Sequence, residues 1–166
     1  MTEYVAARFF ADVIAPVMAL LNLGTAWAAA AAHTRGYGRR TFLRLFARYV
    51  ACFVVGIAVP VALAQAGKRW EVWPGHPGFP SGHETFTVSA AMCLVLLHGA
   101  RRWLLPGVVA SALMGWAVVR AGFHHPPEVA GAVVLGVAGA AAVCRRLRPL
   151  PPEVLPDEAA KRCTGE

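Results

Sequence analysis

Five apolar stretches, divided by short polar connections, constrain this chain more than any other feature. They run from about Phe9 to Ala32, Tyr49 to Ala66, Glu84 to Leu97, Trp103 to Val119 and Glu128 to Cys144. A helix that crosses a bilayer needs roughly 20 predominantly apolar residues. Four stretches approach that length, and a capped start lengthens the short third one. In hydrocarbon an open sheet leaves its backbone groups unsatisfied, so the stretches must be helices. Only 15% of the 166 residues are charged, against about a quarter in soluble domains. The expectation is an all-α polytopic transmembrane bundle of about five spans, forming one domain over residues 1–148. Residues 149–166 are Pro-rich and mixed in charge, and are expected to form a poorly ordered cytoplasmic tail. The first stretch is long and lacks a basic leader, so it is expected to stay as a span rather than be cleaved as a signal peptide. Gly131, Gly136 and Gly139 suit close helix packing in lipid.

The formal charge of +7 raises the question of nucleic acid. Nearly all the basic residues lie between apolar runs or at the chain end, which suits membrane topology and argues against a nucleic-acid partner. With five spans, the connection 33–48, the turn 99–102 and the tail share one side. That side holds 12 of the 16 Lys and Arg residues; Arg8, Lys68, Arg69 and Arg120 hold the other. The positive-inside rule then places the 12 in the cytoplasm of a multi-pass cell-membrane protein. Cys52, Cys93, Cys144 and Cys163 have no CxxC spacing and read as small apolar residues.

The side with four basic residues carries the polar chemistry. One connection reads Lys68-Arg69-Trp70-Glu71-Val72-Trp73-Pro74-Gly75-His76-Pro77-Gly78-Phe79-Pro80-Ser81-Gly82-His83. The next on that side reads Arg120-Ala121-Gly122-Phe123-His124-His125-Pro126-Pro127-Glu128. Two antiparallel helices bring them together. Ser81 can cap the following helix, with Glu84 three residues on as in a capping box. Gly82 permits close approach of a ligand to backbone N–H groups, and a helix N-terminus is a ready anion site. Lys68 and Arg69 add positive charge, and His83 can act as a general acid. His124 lies four residues before Glu128, and a carboxylate on one ring nitrogen raises the basicity of the other. Trp70 and Trp73 read as interface-belt aromatics, and His125 as a packing residue. A metal site built from His76, His83, His124 and His125 is the competing reading, although their spacing fits no standard zinc pattern.

Pro80-Ser81-Gly82-His83, followed some forty residues later by His124-His125-Pro126-Pro127-Glu128-Val129-Ala130-Gly131, resembles the type 2 phosphatidic acid phosphatases of the PAP2 superfamily. These share their core with vanadium haloperoxidases. The likeness covers about residues 68–139. It implies metal-free and cofactor-free hydrolysis through a phosphohistidine, with His124 as nucleophile, His83 as acid and Glu128 orienting His124. Lys68, Ser81 and Gly82 would hold the phosphate. The first family motif, Lys then Arg-Pro after six residues, is altered here. Counting from Arg69 puts His76-Pro77 there, so His76 stands as a candidate replacement for the arginine. The arginine that the family carries with five residues between it and the nucleophile is replaced by Val118, with Arg120 two residues on as a candidate substitute. The implied activity is a lipid phosphatase acting on a phosphomonoester or pyrophosphate, such as undecaprenyl pyrophosphate, phosphatidate or phosphatidylglycerophosphate, on the extracytoplasmic side. Its partners would be the lipid phosphate and the surrounding membrane lipids. The alternative is a catalytically weak relative that binds or transports lipid headgroups.

Overall fold

The structure, a computed structural model, describes residues 2–99 and 101–149, without the side chains of Thr2 and Arg101. The tail expected beyond residue 149, with Cys163, lies outside the described residues. Among the described residues there are five helices and no strand: α1 (Thr2–His33), α2 (Arg39–Arg69), α3 (Gly82–His98), α4 (Arg101–Arg120) and α5 (Pro126–Leu147). All but α3 are long and apolar enough to cross a membrane. Their outward faces confirm the setting: Leu20 is 68% exposed, Leu105 71% and Val134 69%. Apolar surface this extensive belongs in lipid, not water. The chain is a helical bundle of membrane type.

α3 has 17 residues, about 25 Å of helix, which falls short of a hydrocarbon core of about 30 Å. It needs less length because the protein encloses it. It packs against each of the other four helices, and Thr85, Thr87, Ser89, Ala90, Cys93 and Leu94 are buried along it. Small residues allow this closeness. A Cβ on Gly136 of α5 would meet Val88 at 2.9 Å, and one on Gly139 would meet Pro60 of α2 at 2.6 Å. Asn22 ties α1 to the same helix by donating to the Ala90 carbonyl at 3.1 Å. Cys52, Cys93 and Cys144 are buried free thiols.

Two boundaries differ from the sequence expectation. The basic segment 33–48 is not a loop: α2 starts at Arg39 and the true connection is residues 34–38, with Gly36 at φ 86°. The segment is amphipathic, and aromatics decide its structure. Phe42 and Phe46 pack edge-on against Trp27 of α1 at 4.7 and 5.5 Å, which leaves Arg39, Arg40, Arg44 and Arg48 exposed. At its other end α2 continues through Lys68 and Arg69, so both sit in its last helical turn rather than in a loop. With 31 residues, α2 is about 46 Å long and extends well past the hydrocarbon.

Candidate active site

Short connections make successive helices antiparallel, so the α2–α3 and α4–α5 connections meet at one end of the bundle. One backbone bond joins them: the Ser81 N–H donates to the Glu128 carbonyl at 3.0 Å. α3 and α5 both begin here, so their unsatisfied N–H groups converge. At α3 the Ser81 hydroxyl accepts from the Glu84 N–H at 3.4 Å, and the Ser81 carbonyl accepts from Thr85 at 3.0 Å. That leaves the N–H groups of Gly82 and His83 as the two without a helical acceptor. Lys68 and Gln65 come down from α2 onto this point. A Cβ on Gly82 would sit 3.2 Å from Gln65 Nε2 and 3.8 Å from Lys68 Nζ. Two backbone donors, an amide and an ammonium thus surround a residue with no side chain, an arrangement suited to an oxyanion.

The second loop supplies the imidazole. The Val118 carbonyl accepts from the N–H groups of Phe123 and His124, at 2.9 and 3.2 Å, which turns the chain tightly out of α4. His124 Nδ1 then lies 2.8 Å from Glu128 Oε2, and the same oxygen accepts the His125 N–H at 3.2 Å. One carboxylate therefore both caps α5 and fixes the His124 tautomer, leaving Nε2 with its lone pair. The pair is enclosed, with side chains 8% and 3% exposed. Gly78 closes over it: a Cβ there would fall 2.5 Å from Glu128 Oε2 and 3.0 Å from His124 Nδ1. Burial lowers the His124 pKa below its ordinary value; the bond to Glu128 opposes this, and the charges of Lys68 and His83 add to the lowering. His124 is thus held neutral near neutral pH, the form that has a lone pair to offer.

The structure brings His124, Glu128, His83, Ser81, Gly82 and Lys68 to one end and one neighbourhood. The remaining candidates are placed differently. His76 faces the back of the carboxylate, with Nδ1 3.6 Å from Glu128 Oε1, too far for a hydrogen bond. Its ring is edge-on to Trp73 at 5.2 Å and to His125 at 6.0 Å. It sits on the opposite carboxylate oxygen from His124. Arg120 is exposed and paired with Glu3 of α1. Arg69 is exposed at the end of α2. Val118, at the position of the expected arginine, is fully buried. Glu84 does not complete a capping box. It is fully buried, with its carboxyl accepting from Ser111 of α4, so it points away from the anion position. Trp70 is 73% exposed, as an interface aromatic would be, whereas Trp73 packs on Phe79 at 4.9 Å. Among the described residues no group of three or more His, Cys, Asp or Glu side chains is arranged to hold a metal ion.

Three contributors escape sequence reasoning. Gln65 lies one helical turn before Lys68 on the same face, but nothing marked it without the knowledge that α2 continues that far. Gly78 is invisible without the His124–Glu128 pair beneath it. Arg8 stacks over Phe123 at 5.4 Å, and the Phe123 ring lies nearly parallel to His83 at 6.4 Å and 17°. The only sequence signal for Arg8 was its place among the four basic residues on this side.

Fold and site together define a helical membrane protein with a paired-histidine centre at one end of its bundle. The model of the PAP2 superfamily matches residues 40–150, from the start of α2 past the end of α5, and the chain belongs to that superfamily. The superfamily includes lipid phosphatases. No curated protein and no solved structure matches the chain.

Proposed function

We propose that the protein is a lipid phosphatase that hydrolyses a phosphomonoester or pyrophosphate through a phosphohistidine. The observation that carries this reading is the enclosed His124–Glu128 pair beside the free N-terminus of α3. The phosphate lies over Gly82, held by the Gly82 and His83 N–H groups and neutralised by Lys68. His124 Nε2 attacks phosphorus, forming the P–N bond as the P–O bond to the lipid breaks. His83 gives its proton to the leaving oxygen. Water then attacks phosphorus, the P–N bond breaks, and the water proton returns to His83. A groove of about 430 Å³ between α4 and α5 begins beside Pro126 and Arg120 and is lined by Trp116, Val129 and Val133. Its apolar wall supports a lipid-tailed substrate. The 12-to-4 division of basic residues supports an extracytoplasmic site in a multi-pass cell-membrane protein.

The test is phosphate release by purified protein from undecaprenyl pyrophosphate, phosphatidate and phosphatidylglycerophosphate with chelator present. Release from at least one, unchanged by chelator, is expected; none above a protein-free blank sinks the reading. A second reading, a weak relative that binds or moves headgroups, draws on the buried Val118 and the engagement of Arg120 with Glu3. It predicts headgroup binding without release.

The neutral state of His124 gives a pH signature. A group with a lowered pKa loses its neutral form only as pH falls through that lowered value. The acid limb of kcat/KM is therefore expected below about pH 6.5, the ordinary histidine value. Lys68 is one cause of the lowering, so Lys68→Gln should move the limb to higher pH, whatever it does to KM. A limb that stays in place in that variant contradicts the assignment of His124 as the titrating base.

A further inference from the structure

A cavity lies at the end of the bundle opposite the candidate site. It has a volume of about 610 Å³ and is lined by residues from every helix, or from the segment just after it: His33 closes α1, Tyr49 comes from α2, His98 from α3, Arg102 from α4 and Arg148 from the residues following α5. Alanines in the last turns of α1 form an apolar wall on its lipid side. Tyr49 and His98 stack at 5.5 Å and 20°, making a flat floor. The Arg102 and Arg148 side chains both line the cavity.

Among the described residues this end has no compensating charge. The described segments 22–62, 86–119 and 133–149 carry ten arginines and no Asp or Glu. All three carboxylate ion pairs among the described residues are at the other end. Arg102 lies over the Trp103 ring at 5.7 Å, and neither guanidinium has an ion-pair partner among the described residues. The Tyr49 hydroxyl likewise has no hydrogen-bond partner among the described residues. Two guanidinium forks and a phenol thus face one half-enclosed space in which no described residue offers them a carboxylate. Basic pockets between membrane helices on the positively charged side suit phosphate headgroups, whose acyl chains remain in the leaflet. The alanine wall gives such chains a smooth exit into lipid.

We infer that this cavity binds the phosphate headgroup of an anionic membrane lipid, at a site separate from the His124 centre. The test uses the full chain in nanodiscs of phosphatidylcholine with a minor fraction of phosphatidylglycerol, followed by native mass spectrometry of the lipids retained. The wild type should keep phosphatidylglycerol in preference to phosphatidylcholine. Arg102→Gln with Arg148→Gln should lose that preference by about tenfold or more, and the matching Lys pair should largely keep it. Tyr49→Phe, which removes a single hydroxyl, should weaken it less, and serves if the Gln pair does not fold. Arg145→Gln with Arg146→Gln, exposed on the same end but outside the cavity, and His124→Ala at the other end should both leave it intact. The inference is overturned by an unchanged preference in the Arg102/Arg148 pair, or by an equal loss in the Arg145/Arg146 pair. It is equally overturned by loss on His124→Ala, or by displacement with equimolar inorganic phosphate, which would make it a site for the free ion.

Discussion

His124→Ala is expected to lower phosphate release by at least about 10³-fold, because removal of the proposed nucleophile takes away the whole covalent route. The loss should fall on kcat, since the headgroup contacts proposed at Gly82, His83 and Lys68 remain. The wild type, quenched during turnover of a lipid labelled on the transferred phosphate, should carry acid-labile label on His124, and the variant none. Activity of the variant equal to that of the wild type would remove the enzyme reading altogether. Headgroup binding retained by both would then favour a binding or transport role.

Gly78→Ala should come next in size, although residue 78 bears no functional group. The added carbon would meet Glu128 Oε2 at 2.5 Å and His124 Nδ1 at 3.0 Å. Neither neighbour can withdraw freely, because Glu128 also holds the His125 N–H and Ser81 holds the Glu128 carbonyl. The loop or the imidazole must shift, and a displacement of about 1 Å at a reacting centre costs about 10²-fold. The expected result is a kcat lower by about that factor in a protein that still folds as a bundle. Gly24→Ala provides the comparison, since its Cβ meets nothing within 4 Å and activity should not change. A Gly78→Ala enzyme of normal kcat would show that the closed pair is not the working geometry.

Helix number, the meeting of the two polar connections and the His124–Glu128 pairing were all legible in the sequence, because each depends on local rules. Apolar length demands a helix, antiparallel neighbours share ends, and an i,i+4 spacing aligns two side chains. What was not legible depends on partners distant in sequence. The helical state of residues 39–48 rests on Trp27, which receives Phe42 and Phe46; their arginines alone read as a loop. The direction of Glu84 depends on Ser111, and that of Arg120 on Glu3. His76 shows the limit most clearly. Its spacing from Arg69 placed it in an arginine's position, yet the turn through Gly75 and Gly78 carries its ring to the far side of Glu128. A loop's register fixes the order of its residues but not the face each one presents.

The double duty of Glu128 has a consequence for how such a protein fails. A helix end normally frays before the rest of the helix, and that local opening is harmless when the cap is only structural. Here the group that starts α5 is also the group that aims the imidazole. In the proposed phosphatase, each opening of that first turn is therefore a moment of catalytic silence. Heat or detergent that loosens the bundle end would extinguish chemistry well before the bundle itself came apart.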